Sequence, residues 1–332
     1  MLQKVCYLLK IKYICFNWYY ADVWNVLCCV LLCFNFCFIK VVGGMGVQLE
    51  GKVIDTMRQR QSVRTYHDVA LTEEHIKNIE NYIEEIPRIS PFGKIGNIEF
   101  IEVTSNRSEK GVKLGTYGFI KSQKGYLVGI SEKDTYSLVK FAYNFQMLVL
   151  YLTELGLGTC WMGGTFSRKS FEKELIVSEG EFIPCVTPVG YPREKRRLFD
   201  KAIRAVAKSD NRKAWENLFF DESFHSSLSK DNAGQLELPL EMVRIGPSAS
   251  NKQPWRLVVS KDRRQVHFYI EHTPNYSSSL GYDMQLLDIG IAMCQFDLAC
   301  KELQLAGEWV VENPGMNVNN EQIEYLYTWK SR

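Results

Sequence analysis

The sequence predicts an α+β sandwich of helices and mixed or antiparallel sheet, built from two unequal tandem copies that pair within the chain. Three observations predict it: two long apolar stretches of helical length, strand-like segments around each, and a loose repeat of this order. Strands and helices that are grouped unevenly, without strict alternation, are typical of α+β folds. The 332 residues, 46% of them hydrophobic, suffice for one large domain or two small ones.

Residues 1–44 differ in composition from the rest of the chain. Six of the ten cysteines fall within the first 37 residues, and residues 23–39 are mostly apolar. Two interpretations stay open: a translated upstream region ahead of a start at Met45, or a membrane anchor at the low end of spanning length. The cysteines beyond this extension are dispersed, which suits a reducing compartment. We therefore expect a cytoplasmic protein, with membrane anchoring as the alternative.

The first copy is expected over residues 45–204. Thr72 is a plausible N-cap for a helix over 73–85, because two acidic residues follow it in the first turn. The long apolar helix begins near Leu138 and is expected to end in a C-cap at Gly158. Strands rich in β-branched and aromatic residues are expected at 99–103 and 126–130.

The second copy is expected over residues 205–332 and repeats this order. A second apolar helix begins near Leu286 and is expected to be capped by Gly307. Such helices, apolar on nearly every face, belong in the centre of a fold. Strands are expected at 256–260 and 266–270, and the alternating segment 322–329 predicts an edge strand.

A basic segment near the start of the first copy offers ligands for a phosphate. It contains Arg60, Gln61, Ser62 and Arg64. Guanidinium groups bind phosphate through paired, planar hydrogen bonds, and the Ser62 hydroxyl adds another donor. The alternative is a solvated helix end without a ligand.

The segment Pro247–Trp255 contains small residues followed by two amides. Ser248 and Ala249 would let the backbone approach a flat ligand closely, and Pro247 precedes them. Asn251 and Gln253 can each donate and accept hydrogen bonds, which suits a mixed polar ring edge. A polar loop that leads into a strand explains the same residues equally well.

The loop Gly156–Gly164 follows the first apolar helix. It contains Trp161, Met162, Gly163 and Gly164. A dinucleotide fingerprint is excluded because the loop does not connect a strand to the start of a helix. Its glycines predict a turn whose backbone N–H groups face a ligand, with a plain helix-terminating loop as the alternative.

A basic cluster, which includes Arg196 and Arg197, follows Gly190-Tyr191-Pro192. These arginines could complete a phosphate site, although such runs are also common in solvated linkers. The formal net charge of +2 and the lack of a basic stripe with interleaved aromatics exclude any argument for nucleic-acid binding. Metal-ligand spacing, a Walker motif and a Gly-x-Ser-x-Gly motif are all missing from the sequence.

Taken in order, these segments resemble the FMN-dependent nitroreductase superfamily, and more closely its TM nitroreductase branch, in which two copies share one chain. The resemblance covers roughly residues 50–330. It implies an FMN held between an Arg-rich segment of one unit and a Pro-Ser segment of the other. Here the first copy keeps only the Arg segment and the second only the Pro-Ser segment. The resemblance therefore implies a monomer that acts as its own pseudo-dimer, with one FMN and the mirror site lost.

The function implied by the resemblance is that of an FMN-dependent oxidoreductase. NADH or NADPH would serve as co-substrate, and nitroaromatics, quinones or similar planar small molecules would accept the electrons, with no catalytic side chain obviously required. Two alternatives stay open: a flavin-binding or interaction protein without turnover, and a different flavin reaction such as dehalogenation or heterocycle oxidation. Gln61 and Ala249 depart from the family pattern, each at the cost of one side-chain contact.

Overall fold

The computed structural model describes residues 52–103, 115–116, 118–193, 211–318 and 320–332. The extension 1–44, with its predicted anchor or upstream region, lies outside these residues. So does the predicted boundary between the two copies at 204/205. Within the described residues, no helix has both the length and the apolar composition that a bilayer crossing requires.

The first repeat combines helices with an antiparallel sheet of four strands. Strand β2 lies at its centre and pairs with β1, β3 and β4, all in the antiparallel sense. The described helices are α1 (Val53–Gln59), α2 (Glu73–Ile89), α3 (Thr135–Glu154) and α4 (Arg168–Glu172). The strands are β1 (Asn97–Glu102), β2 (Gly125–Glu132), β3 (Glu181–Phe182) and β4 (Val186–Val189).

The second repeat contains a mixed sheet of five strands in the order β5-β6-β7-β9-β8. Only β5 and β6 run parallel, and the other neighbours in this sheet are antiparallel. The strands are β5 (Phe219–Asp221), β6 (Trp255–Val259), β7 (Gln265–Glu271), β8 (Gly307–Val310) and β9 (Ile323–Ser331). The described helices are α5 (Lys230–Ala233), α6 (Glu237–Ile245) and α7 (Gln285–Glu302).

The two long apolar helices, α3 and α7, pack against each other at the centre of the structure. They cross closely at Gly290, where a Cβ would lie 2.2 Å from the carbonyl oxygen of Val139 and 2.6 Å from the Ala142 Cβ. One hydrophobic core includes buried residues of both helices and of both sheets, and a second, smaller core lies within the first repeat. The repeats therefore share one core, as the tandem α+β prediction requires.

The predicted start of α2 is confirmed, since the Thr72 hydroxyl accepts a hydrogen bond from the His75 N–H at 3.2 Å. The helix runs past its predicted end at residue 85 and includes Pro87 before it ends at Ile89. A proline in the last turn removes only one of the remaining helical hydrogen bonds, so the helix continues. The four strands predicted around the apolar helices are confirmed within two residues at each end.

Two predicted helix caps are wrong. After α3 the left-handed conformation is taken by Gly156 with φ of +74°, and after α7 by Gln304 with φ of +60°. Gly158 instead pairs with Gly190 in an isolated antiparallel bridge. Gly307 begins β8, where its missing Cβ makes room for the Trp329 indole. Glycine is needed in both places for close packing rather than for capping.

The prediction that residues 322–329 form an edge strand is also wrong. The strand exists as β9, but it lies between β7 and β8. Alternating side chains reveal that a strand has two different faces. They carry no information about whether a short strand such as β8 covers its outer edge.

Replacing Gly290 by alanine tests the close helix crossing. The new methyl group would meet backbone atoms of α3, so the helices must separate, at a cost of roughly 1–3 kcal/mol in free energy of unfolding. Urea denaturation of the purified variant measures the loss. Gly156→Ala is the matched control, because no atom lies within 4 Å of its Cβ and only the left-handed backbone penalty of about 1–2 kcal/mol remains. Equal stability of Gly290→Ala and the parent chain would contradict the close crossing.

Candidate functional site

A cavity of about 830 Å³ lies between the two repeats. We call it the inter-repeat cavity, and both repeats supply its walls. From the first repeat it is lined by Arg58, Gln59, Arg60, Gln61, Ser62, Arg64, Phe119, Ile120, Cys160, Trp161, Met162, Gly163, Gly164 and Thr165. From the second it is lined by Arg212, Arg244, Ile245, Pro247, Ser248, Ala249, Ser250, Asn251, Tyr276, Met284, Leu287, Asp288 and Ile291. The structure therefore brings together three of the four segments selected from the sequence.

The Arg60–Arg64 segment is fixed beside the glycine loop by backbone hydrogen bonding. The Val63 N–H donates to the carbonyl of Thr159 at 2.8 Å, and Ser62 forms a parallel bridge with the same residue. Gly158 must be glycine here, because a Cβ would lie 2.9 Å from three side-chain carbons of Val63. These contacts place the cations of one segment next to the backbone donors of the other.

The opposite wall, Pro247–Asn251, has an unusual backbone. Ser250, Asn251 and Gln253 all have left-handed conformations, with φ of +48°, +55° and +49°. Non-glycine residues held this way cost of order 1–3 kcal/mol each and persist only where neighbouring contacts enforce them. The Gln253 N–H donates to the Ser248 hydroxyl at 2.9 Å, and the Ala249 N–H donates to Asp288 at 2.8 Å. Strain of this kind is common at ligand sites.

The two amides predicted to face a ligand are largely engaged in holding this turn. The Asn251 amide donates to the carbonyl of Asn211 at 2.7 Å, and its oxygen accepts from Arg212 at 3.2 Å. Asn251 still lines the cavity, but Gln253 does not. Gln253 is buried, its oxygen accepts the Lys213 N–H at 2.8 Å, and its nitrogen donates to Asn251. The sequence predicted a ligand contact for Gln253, and the structure places it behind the cavity wall.

Two arginines of the second repeat, which the sequence analysis did not select, also line the cavity. Arg212 donates to the carbonyl of Ile245 at 3.0 Å, which ties the start of the second repeat to the end of α6. Arg244 forms a two-pronged ion pair with Glu241 one turn earlier in α6. Neither arginine belongs to a recognisable motif. The predicted Arg196 and Arg197 lie outside the described residues.

One acidic side chain, Asp288, lies in the apolar floor that α7 contributes. It is 3% exposed, and its Oδ2 atom finds no hydrogen-bond partner among the described residues. Burial raises the pKa of the Asp288 carboxyl well above its ordinary value of 3.8, the Ala249 N–H opposes this, and the charge of Asp283 adds to it. Burial therefore favours the neutral form of Asp288 beside the strained turn. An acid in the first turn of an apolar helix is the sequence signal that could have indicated it.

A segment before α7 completes the second wall. The Tyr276 hydroxyl donates to the Ser250 hydroxyl at 2.7 Å, and the Lys252 ammonium lies 5.3 Å from the Tyr276 ring centre. The Met284 sulfur packs where a Cβ on Gly163 would lie, at 2.2 Å. These contacts could not be predicted from the sequence, because the residues belong to no motif.

At the mirror-related position an aromatic ring takes the place of small residues. Pro91-Phe92-Gly93 follows α2 and precedes β1, just as Pro247-Ser248-Ala249 follows α6 and precedes β6. The Phe92 ring packs edge-on against Tyr143 of α3 with centroids 5.1 Å apart, and at 5.9 Å from Tyr327. Side chains fill this space, which favours a ligand site on one side of the pseudo-dimer.

The fold and the cavity define an α+β protein with two tandem units around one site. The family model described as "Putative TM nitroreductase" matches residues 52–300, and the chain belongs to this family. Among curated protein sequences, none matches the chain.

One solved structure supports the fold. A "putative nitroreductase" from Thermotoga maritima matches with a TM-score of 0.52 and 18% identity, covering 87% of this chain and 99% of its own. An FMN-dependent nitroreductase from Clostridium difficile is 23% identical over 43% of this chain and 90% of its own, with a TM-score of 0.35. A "putative nitroreductase" from Desulfovibrio desulfuricans, solved in complex with FMN, is 18% identical over 46% of this chain and 95% of its own, also at 0.35.

Asp288→Asn is expected to stabilise the protein increasingly as pH rises. Because the folded state holds the Asp288 proton more tightly, this contribution to stability is complete below pH 3.8 and is lost as pH rises through the raised pKa. The loss reaches about 1.4 kcal/mol per pH unit, and asparagine avoids it while still accepting the Ala249 N–H. Urea denaturation at pH 5 and pH 8 measures the difference. Asp231→Asn, at an exposed position, is the control. A stability gain for Asp288→Asn that is the same or smaller at pH 8 than at pH 5 would contradict the raised pKa of the Asp288 carboxyl.

Proposed function

We propose that the chain is an oxidoreductase that holds one FMN in the inter-repeat cavity. The observation that carries the proposal is the meeting of Arg60–Arg64 with Pro247–Asn251 in one cavity, although the two segments lie far apart in the sequence. One segment offers cations for a phosphate and the other offers a backbone close enough for a flat ring. The cavity volume of about 830 Å³ lies within the range of cofactor sites.

The residues present fit the chemical parts of FMN. Arg60, Ser62 and Arg64 would hold the phosphate, and Arg212 supplies a further guanidinium at the same cavity. The floor formed by Leu287 and Ile291 is apolar and suits a planar ring system. The backbone N–H groups of Gly163 and Gly164 donate to no acceptor among the described residues, so they are available to a ring edge.

The proposed activity is transfer of electrons from NADH or NADPH to a planar small molecule such as a nitroaromatic or a quinone. When bound, FMN supplies the redox chemistry. The chain's own residues bind and orient: the arginines fix the phosphate end, and the strained turn fixes the opposite wall. A guanidinium such as that of Arg64 also favours negative charge nearby. Because no proton-transferring side chain is required, the residues act by positioning and electrostatics.

One FMN per chain is the expected stoichiometry, because Phe92 fills the mirror-related position. The chain is proposed to bind it as a monomer, without a second subunit. Titration of the purified chain with FMN, followed by quenching of flavin fluorescence, should reach its end point at one equivalent. Arg60→Ala should weaken binding by roughly 10- to 150-fold, the equivalent of about 1.5–3 kcal/mol for a charge-assisted hydrogen bond.

Arg88→Ala is the matched control for Arg60→Ala. Arg88 is an exposed arginine at the end of α2 and pairs with Glu85 rather than lining the cavity. Its removal should leave FMN affinity unchanged. Failure of the parent chain to bind FMN, or an end point of two equivalents, would reject the single inter-repeat site.

Turnover separates an enzyme from a flavin-binding protein. The FMN-loaded chain should oxidise NADH or NADPH when a quinone or a nitroaromatic compound is present, with the rate followed at the nicotinamide absorbance band. Arg88→Ala should match the parent chain in this assay. A loaded chain whose flavin stays oxidised under excess NADH and NADPH would favour binding without turnover. Reduced flavin that fails to pass electrons to either acceptor would favour a different flavin reaction on this fold.

A further inference from the structure

The Gly163–Gly164 turn in the cavity wall is held from behind by one side chain. Arg168, in the first turn of α4, donates from Nη2 to the carbonyl oxygen of Gly163 at 3.0 Å. Its Nε donates to the carbonyl oxygen of Ile183 at 2.9 Å. Arg168 does not line the inter-repeat cavity, whereas both glycines do. Arg168 therefore holds the turn without lining the cavity.

Aromatic rings keep the Arg168 guanidinium in this position. Its central carbon lies 5.1 Å from the Phe166 ring centre and 5.5 Å from that of Tyr282. Tyr282 belongs to the second repeat, and its hydroxyl donates to the carbonyl of Pro184 in the first at 2.7 Å. A planar guanidinium can stack on rings while two of its separated nitrogens each donate to a carbonyl, an arrangement that the single nitrogen of an ammonium does not reproduce. Arg168 thus links the turn to both repeats.

The orientation of Gly163 determines where the next N–H points. The described peptide bonds are all trans, so the carbonyl of Gly163 and the N–H of Gly164 point in opposite directions. Because the Gly163 carbonyl points at Arg168, the Gly164 N–H points away from Arg168. Gly164 is exposed, and its N–H meets no acceptor among the described residues.

We propose that Arg168 is a positioning residue that aims the Gly164 N–H into the cavity, at the N5 edge of the bound flavin. The inference rests on the proposed function, because it needs a flavin as the acceptor. Ring nitrogen N5 of oxidised flavin accepts a hydrogen bond, so the Gly164 N–H would contribute to affinity only where that nitrogen is present. Arg168 itself would touch neither flavin nor substrate.

Comparing FMN with 5-deaza-FMN, which carries C–H in place of N5, tests the proposal without an activity assay. The parent chain should prefer FMN by roughly 3- to 12-fold in Kd, the equivalent of one net hydrogen bond. In Arg168→Lys this preference should fall to about one, because the single nitrogen of lysine does not reproduce the two separated donors or the ring stacking of the guanidinium. Arg263→Lys is the control. Like Arg168, Arg263 donates to two backbone carbonyls, those of Asn232 and Ser260, and it also pairs with Asp221. None of these residues lines the cavity.

The outcomes separate a positioning role from a structural one. A structural role for Arg168 would weaken both ligands equally and leave the FMN preference of Arg168→Lys at the parent value, which would overturn the proposal. A parent chain without preference would overturn it too. A parent chain that binds neither ligand would instead reject the proposed function.

A measurement on the parent chain keeps the proposal testable even if Arg168→Lys fails to fold. Gly-Gly pairs occur at 43–44 and 163–164 alone, so labelling glycine with ¹³C at the carbonyl and ¹⁵N at the amide gives two HNCO signals. Gly44→Ala assigns them by removing one. The Gly164 amide proton should move downfield with FMN and much less with 5-deaza-FMN. Equal shifts with both ligands would overturn the proposal.

Discussion

The close packing of α3 against α7 is the contact on which the rest of the structure depends. Gly290 lets the two backbones meet, and both helices are apolar on nearly every face because each is surrounded by the two repeats. The two repeats therefore share one core. Segments that lie far apart in the sequence line the inter-repeat cavity.

The repeats have diverged where their symmetry would otherwise produce two sites. Ser248 and Ala249 leave space beside Asp288, while Phe92 fills the corresponding space beside Tyr143. An aromatic ring there adds buried contact area to the core, whereas the small residues leave a strained turn that local hydrogen bonds must hold. Under the proposed function, ligand binding and core packing would thus fall to different copies of one unit.

Much of the fold could be predicted from the sequence, because hydrophobic patterning determines which segments are strands and which are central helices. The order of neighbouring strands could not be predicted, as the interior position of β9 demonstrates. Three of the four candidate segments meet in the cavity. They could be selected from the sequence because each motif consists of contiguous residues. Gln253 does not line the cavity, because its side-chain oxygen accepts the Lys213 N–H, a partner that donor and acceptor types in a sequence do not reveal. Arg212, Tyr276 and Arg168 were missed because each acts from an element without a motif.

We propose that Arg60–Arg64 and Pro247–Asn251 bind one FMN between them. A crystal structure of the FMN-soaked or co-crystallised protein tests it most directly. We expect one FMN per chain, with its isoalloxazine ring between Pro247–Asn251 and the Gly163–Gly164 turn and its phosphate at Arg60–Arg64. Flavin bound beside Phe92, or at a surface formed by a second copy of the chain, would contradict it.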